Sequence, residues 1–398
     1  MARSQNAPKG DDLRIVRIEL TSLMVPFAEG ARDVMEKSDS SLGMSIPSEE
    51  PWDGGEFVIC RLTTRDGSCG LGEAFVWLPE TGVSPAQIVD AVKHALSRYV
   101  IGESPFNVEK IRHRMEVNVN RSDVAKGLID MACYDLMGRI TGRPAHDFMG
   151  GCCMDEIPLC ALIPLVDMET MIMLCRLFHD QGIRTFRLKL GKNIRNDMDI
   201  VGRVREELGE DVRLRVDYNQ AYNPDEAVRA IRAIEPFGID FAEQPVAASN
   251  YPGMVHVQQH VAIPVMAHEG CFSLQDIVTL VKLGGIHAIG LNGERPGGVT
   301  NCLRAVTYAE MEGMGAVLHN QPLGISSAMQ IHVAAARYHS LGHDMELFGH
   351  LMMSDDLIVD PINYDNGTAT VPTGPGWGVE LDEAALDTYA TGPTVVIE

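Results

Sequence analysis

From residue 157 to residue 349 the chain repeats one plan eight times: a short apolar run, a turn, then a stretch whose apolar residues recur at helical spacing. The runs are IPLCALI (157–163), TFRLKL (185–190), VRLRVD (212–217), IDFAEQ (239–244), IPVMAH (263–268), HAIGLN (287–292), GAVLHN (315–320) and HDMELFG (343–349). A typical intervening stretch is PDEAVRAIRAIEPFG, in which Pro224 starts a helix and Ala227, Ile231 and Ile234 share one face. Eight strand–helix units of roughly 25–30 residues predict a parallel (β/α)8 barrel of the TIM type, here over 151–370. A doubly wound open sheet is the structural alternative, but no glycine-rich phosphate turn follows the first strand. The period is one of architecture and not a sequence repeat.

The first 150 residues read differently, as an α+β capping domain. LRIVRIELTSLMVPF and EFVICRLTTRDGSCGLGEAF have the composition of strands, and the second turns at Asp66-Gly67. Helices are expected from about Pro85 to Tyr99 and from Val108 to His113. The segment AKGLIDMACYDLMGRITGR then sets Leu128, Ile129, Ala132, Leu136 and Ile140 on one helical face. Between the strands, 28–55 is long and rich in Ser, Glu, Gly and Pro, with Glu29, Arg32, Met35, Glu36 and Trp52 in it. Loops of that length inside a compact unit are commonly functional, and this one is expected to act as a lid. The tail 371–398, containing VPTGPGWGVELDEAAL, is expected to pack back on the capping domain.

Composition narrows the partners. With 398 residues and 45% hydrophobic content, the chain can bury a large core without a metal or disulfide staple. A formal net charge of -22 speaks against nucleic acid and anionic membrane surfaces. No apolar run approaches a membrane span, and the polar start MARSQNAPKGDD has no signal-peptide core, so a cytoplasmic protein is expected. The nine cysteines are scattered, with only Cys152 and Cys153 adjacent, which reads as reduced, structural thiols.

In a barrel of this kind the chemistry lies at the C-terminal ends of the strands. Three successive strands end in acids: Asp217, Glu243 and Glu269, each 26 residues after the last. One such acid ordinarily caps the next helix. Three at one height would repel strongly in a low-dielectric cleft, and a divalent cation relieves that repulsion. All-oxygen ligands favour Mg²⁺, with Mn²⁺ as an alternative. On the preceding strand Arg187 and Lys189 point the same way. Lys189 serves either as an ion-pair partner or, neutralised by neighbouring cations, as a base; Arg187 could bind a substrate carboxylate. The seventh strand ends at His319, across the ring, the sixth at Asn292, and the eighth near Glu346.

Taken together these segments resemble the enolase superfamily, in its mandelate racemase-like branch (the mandelate racemase/muconate lactonizing enzyme family). DMACYDLMGRITGRPAHDFMGG, RLKLG, VDYNQ, FAEQP, PGGVT (296–300) and GPGWGVELDE follow in family order across nearly the whole chain. The resemblance implies Asp217, Glu243 and Glu269 as Mg²⁺ ligands and Lys189 as a base. It places Asn219 beside metal and substrate, His319 as the base or acid on the opposite face, and Glu346 as a hydrogen-bond donor to the substrate carboxylate. The chain departs from the family at two points. Arg187 replaces the first lysine of a Lys-x-Lys pair. Asn292 stands where the Asp partner of the histidine is usual, and where the muconate cycloisomerase-like branch has a lysine. An amide there could orient an imidazole but would stabilise its charged form less than a carboxylate does.

The chemistry implied is removal of the proton α to the carboxylate of a small-molecule substrate, giving a metal-stabilised enediolate. Asn292 favours His319 as a proton donor and hence a dehydratase of a hydroxy or sugar acid, a hydro-lyase. Racemisation or epimerisation of an α-substituted carboxylate is the alternative, and cycloisomerisation a third. The apolar run LCALIP speaks against a very polyhydroxylated substrate. A non-catalytic metal-binding barrel remains the reading from another class, while a zinc hydrolase fits poorly because its ligands are mainly histidines. Members of the family commonly form homo-oligomers, which sets that expectation here.

Overall fold

The structure, a computed structural model of the chain, describes residues 12–37 and 53–398. Its first sheet comes from the alternating segments at the start. β1 (Ile15–Pro26), β2 (Gly54–Thr64) and β3 (Cys69–Val76) pair antiparallel, and β2 turns into β3 at the Asp66-Gly67 turn. Leu20, Leu23 and Val25 of β1 face the core with Phe57 and Ile59 of β2. The predicted helix from Pro85 changes winding along its length, from α (Pro85–Ala91) to π (Val92–Leu96) to a 3₁₀ turn (Ser97–Tyr99). The next helix is longer than expected and runs Val108–Asn118.

Between this sheet and the barrel lies the helix Asp123–Thr141, nearly all of it buried. β3 is an edge strand, and its outward N–H groups would otherwise lack partners. Three acceptors on the barrel side meet them at every second residue. Asp135 Oδ2 accepts from Leu71 N at 2.8 Å, Met131 Sδ from Glu73 N at 3.2 Å and Glu294 Oε1 from Phe75 N at 2.8 Å. The sheet is thereby fixed to that helix, and through Glu294 to the barrel, by directional bonds as well as by packing.

The barrel begins after a short strand, β4 (Glu156–Pro158). Its eight parallel strands are β5 (Cys160–Ile163), β6 (Thr185–Lys189), β7 (Arg213–Asp217), β8 (Ile239–Glu243), β9 (Val265–Ala267), β10 (Ala288–Leu291), β11 (Gly315–Asn320) and β12 (Glu346–Leu347). A parallel bridge between Leu159 and Met345 joins the first to the last. TFRLKL and VRLRVD alternate apolar and polar residues, yet Arg187, Lys189 and Arg215 are buried along with their apolar neighbours, so these strands are covered on both faces. Inside the ring Phe241, Met266, Ala288 and Val317 form a small apolar layer, and the Arg215 guanidinium lies 5.5 Å above the Phe241 ring. Seven full helices follow the first seven strands. The one beginning at Pro224 carries a capping box between Asn223 and Glu226 and buries Ala227, Ile231 and Ile234. After β12 a single turn, Gly349–Met352, stands where an eighth helix would lie.

The remaining strands tie the end of the chain back. β13 (Tyr364–Asp365) and β14 (Thr368–Thr370) form a ribbon with β4. Trp377, fully buried, donates its Nε1 hydrogen to Leu71 O at 3.0 Å. β15 (Val395–Ile397) completes the first sheet beside β1. Of the segment 28–55, Glu29–Met35 is helical, rooted by a 2.8 Å bond from Ala28 N to Met352 O. Residues 38–52, including Trp52, lie outside the described residues. Among the described residues no helix is long and apolar enough to cross a membrane.

Candidate active site

Strand register brings Lys189, Asp217 and Glu243 to one level: Lys189 pairs with Asp217, and Asp217 with Glu243. The equal spacing to Glu269 does not bring a third acid to this level. Glu243 pairs with Met266, and Glu269 stands beyond the end of β9 on a turn. Gln244 builds that turn. Its Oε1 accepts from His268 N and Gly270 N, both at 3.0 Å, while its Nε2 donates to Val246 O at 2.9 Å. Gln244 has φ 36°, and Asn219 φ 40°. Such left-handed backbone is disfavoured for side-chain-bearing residues and is held here by surrounding bonds. FAEQP therefore contributes two functional residues: Glu243 itself and the glutamine that carries Glu269.

Arg187 sits among the acids. Nε and Nη2 bond Glu243 at 2.9 and 2.6 Å, Nη2 also bonds Asp217 Oδ2 at 2.5 Å, and Nη1 bonds Glu346 Oε1 at 2.9 Å. Burial opposes the guanidinium charge, but Glu243, Glu346 and Asp217 outweigh it and hold its pKa well above the ordinary value. Arg187 thus engages three acids of the protein. Lys189 Nζ donates to Asp217 Oδ2 at 2.5 Å and to Asn219 Oδ1 at 2.7 Å. Asn219 in turn donates from Nδ2 to Glu269 Oε1 at 3.2 Å.

The acids divide. Burial works against the charge of Asp217, yet Lys189 and Arg187 hold its pKa down at about 2. Burial pushes Glu243 up to about 8 against the pull of Arg187, with Asp217 adding to the rise. Burial, with Asp217 nearby, pushes Glu269 up to about 7. Glu269 Oε2 is buried with no hydrogen-bond partner among the described residues. Two acids that resist ionisation, one with an oxygen left unbonded, fit a hard divalent cation, which would supply the missing positive charge.

Glu243, His268 and His319 also present ligand-type atoms within 4.8 Å of one another. The hydrogen bonds make His268 a donor instead. Arg295 Nη2 lies 3.0 Å from its Nε2. A guanidinium can only donate, so Nε2 accepts and the ring hydrogen resides on Nδ1, which lies 3.4 Å from Glu243 Oε1. The His268 ring lies 4.0 Å from that of His319, centroid to centroid. Burial, and then the neighbouring cations, keeps His268 neutral. Burial, then His268 and Arg187, does the same for His319. His319 Nε2 stands 3.5 Å from Glu243 Oε1 and has no hydrogen-bond partner among the described residues.

Asn292 does not orient His319. Its Oδ1 accepts from Arg295 N at 2.7 Å, and its backbone N donates to Arg295 O at 3.0 Å. It therefore folds the turn that delivers Arg295. Glu346 lies beside His319 in register on the next strand and bonds Arg187, with its Oε2 3.7 Å from Arg215. The PGGVT motif proves to be a docking feature. A Cβ on Gly298, at φ 94°, would come within 2.7 Å of Asp130, whose carboxylate caps the next helix through Thr300.

Lys189, Asn219, His268 and His319 line one narrow cleft, together with Glu80 from the capping sheet side. Lys189 and His319 reach it from β6 and β11, three strands apart by the shorter way round the ring. Arg295 and Glu80 were not singled out from the sequence; a charged pair within NGERPGG, beside a strand end, was the available signal for Arg295.

A parallel eight-stranded barrel capped by an antiparallel sheet, with acids converging at strand ends, defines the class of fold and site. Residues 171–385 match the family described as Enolase C-terminal domain-like, and residues 47–150 match the Mandelate racemase / muconate lactonizing enzyme N-terminal domain. The chain belongs to the mandelate racemase/muconate lactonizing enzyme branch of the enolase superfamily. It is 29% identical over 334 residues to the N-succinyl-L-Arg/Lys racemase of Bacillus cereus, covering 83% of this chain and 89% of that protein. The crystal structure of that racemase superposes with a TM-score of 0.87 over 97% of this chain and 100% of its own, at 26% identity. Identity to the hydrophobic dipeptide epimerase of Enterococcus faecalis is 32% over 296 residues, or 73% of this chain and 82% of that one. The muconate lactonizing enzyme of Pseudomonas fluorescens superposes with a TM-score of 0.85 at 27% identity, over 95% and 100% of the two chains.

Proposed function

We propose that the protein is an Mg²⁺-dependent isomerase that removes the α-proton of a small carboxylate substrate and returns one to the opposite face, as a racemase or epimerase. The observation that carries this reading is the pair Lys189 and His319, brought from well-separated strands to one small cavity. Lys189 is ion-paired with Asp217, whereas His319 is neutral with Nε2 open. One group that holds a proton and one that can accept it, at the same cavity, are what a proton exchange between two faces requires. Asp217, Glu243 and Glu269 would hold Mg²⁺. When bound, the ion offsets the negative charge that builds on the substrate carboxylate as the α-proton leaves.

Dehydration rested on Asn292 making His319 a donor, and in the structure Asn292 bonds Arg295 instead. The racemase and epimerase names among the relatives agree with the isomerase reading. Solvent exchange decides. Mg²⁺-loaded protein in D₂O, screened by NMR and mass spectrometry over amino, hydroxy and N-acylated carboxylates, is expected to place deuterium at the α-carbon without loss of water. Products lighter by water would make the protein a hydro-lyase and overturn the isomerase reading.

A further inference from the structure

Glu80 reaches the reaction cavity from outside the barrel. It sits on a closed turn directly after β3, where Glu80 N and Thr81 N donate to Trp77 O at 2.9 and 2.7 Å, and Gly82 N to Leu78 O at 2.9 Å. Thr81 Oγ1 adds a 2.8 Å bond to Trp77 O. These bonds close the turn on itself. Its carboxylate, 8% exposed, accepts from Arg295 Nη2 and lines the same cavity as Lys189 and His319. Arg295 lies behind it, 1% exposed, held by a 3.1 Å bond to His268 O and packed over Phe272.

Every residue that lines the cavity is polar or charged. Its two cations, Arg187 and Lys189, are already engaged by Asp217 and its neighbours, while Asn219, Asn320 and Gln321 are amides, and the two histidines face Glu243. Glu80 is the one acid that lines it among the described residues. A substrate carboxylate directed to the Lys189 end leaves the rest of the molecule facing that acid. A hydroxyl there would gain one neutral–ionic bond, an N-acyl group would set a carbonyl dipole near a carboxylate, and an ammonium would gain a charge-assisted bond.

We propose that Glu80 is a substrate-binding residue that accepts a hydrogen bond from a protonated amine, so that the substrates are small amino carboxylates with an unacylated nitrogen. The inference rests on the isomerase reading for its readout and adds the substrate class. Arg295 positions the acid. A role confined to neutralising Arg295 is the competing account, and it makes no distinction between amine and non-amine substrates.

The test uses the full-length Mg²⁺-loaded protein and its Glu80→Gln and Glu80→Asp variants. α-Deuterium exchange is followed on small amino carboxylates, each beside the hydroxy acid and the N-acetyl derivative of the same skeleton. Wild type is expected to favour the free amine at least about tenfold in kcat/KM, the size of one charge-assisted hydrogen bond. Glu80→Gln should abolish that preference, mainly through KM, and Glu80→Asp should retain part of it. An unchanged preference in Glu80→Gln, an equal loss on all three substrate types, or a wild-type preference for the hydroxy or N-acetyl compound would overturn the proposal. If no carboxylate of any type exchanges, the isomerase reading fails on its own. Calorimetric binding of the amino carboxylates then decides: loss in Glu80→Gln supports the site, and unchanged binding rejects it.

Discussion

Arg295 Nη2 and His268 Nε2 are 3.0 Å apart, and this contact sets which ring nitrogen of His268 carries hydrogen. His319, whose ring lies against that of His268, is positioned through this chain and not by Asn292. The path runs from Glu80 through Arg295 and His268 to Glu243. It connects the capping sheet to a candidate metal ligand through charged and polar groups that are nearly all buried.

Replacing Arg295 tests that path. Arg295→Met leaves Glu80 and His268 Nε2 without their donor, and breaking a buried charged pair by removing one partner costs about 3 kcal/mol. Urea unfolding should show that loss, and Glu80→Gln combined with Arg295→Met should lose less than the sum of the single variants. Nitrogen-15 NMR should show the His268 tautomer shifting in Arg295→Met. A stability change below about 0.5 kcal/mol with unchanged histidine signals would show that the path carries nothing.

Lys189 and His319 give opposite signatures in a two-sided proton exchange. Lys189→Ala should lower α-deuterium exchange about 10²- to 10⁴-fold for one enantiomer while exchange of the other persists through His319. His319→Asn should reverse the pattern. Equal loss for both enantiomers in both variants would point to a single-base reaction.

Strand ends were legible in the sequence because short runs, alternating as in VRLRVD or apolar as in IPVMAH, stop at a charged or polar residue before each helical stretch. Asp217, Glu243 and Lys189 could be read there, and register places them together. Equal spacing misjudged the height of Glu269, since β9 is short and the chain turns before reaching it. Side-chain partners were not legible. Nothing in NGERPGG shows that Asn292 turns toward its own loop, or that Arg295 reaches an acid 215 residues earlier in the chain. The strand-ending rule also could not expose Glu80, which follows an edge strand in the other sheet.

Glu269 reports on the cation. Its unbonded Oε2 and raised pKa leave a carboxylate that gains most from a bound ion. Calorimetry with Mg²⁺ should show at least about tenfold weaker binding for Glu269→Gln than for wild type. Mg²⁺ at 100 times its Kd should stabilise wild type by about 2.7 kcal/mol, and a chelator should remove that gain. Equal stabilisation of the variant would exclude Glu269 as a ligand.

Glu73, which does not line the cavity, makes stability depend on pH. Fully buried, it accepts from Leu323 N at 2.7 Å and Ser326 N at 3.1 Å, at the start of the helix Gly324–Arg337, which has no side-chain cap of its own. Burial pushes its pKa up to about 8, although both backbone bonds pull the other way. An unfolded glutamate titrates near about 4.3, so between the two values the folded protein binds more protons than the unfolded chain. The contribution is full below about pH 4.3, falls as pH rises through that window, and is lost above about 8. Glu73→Gln removes this titration but leaves one backbone N–H facing an amide donor, at a cost of about 1–3 kcal/mol at pH 5. Urea unfolding at pH 5, 6.5 and 8 should therefore show a shallower decline for the variant than for wild type, the two curves converging as pH rises. Parallel curves would mean that Glu73 is ionised throughout and that its two backbone bonds outweigh its burial.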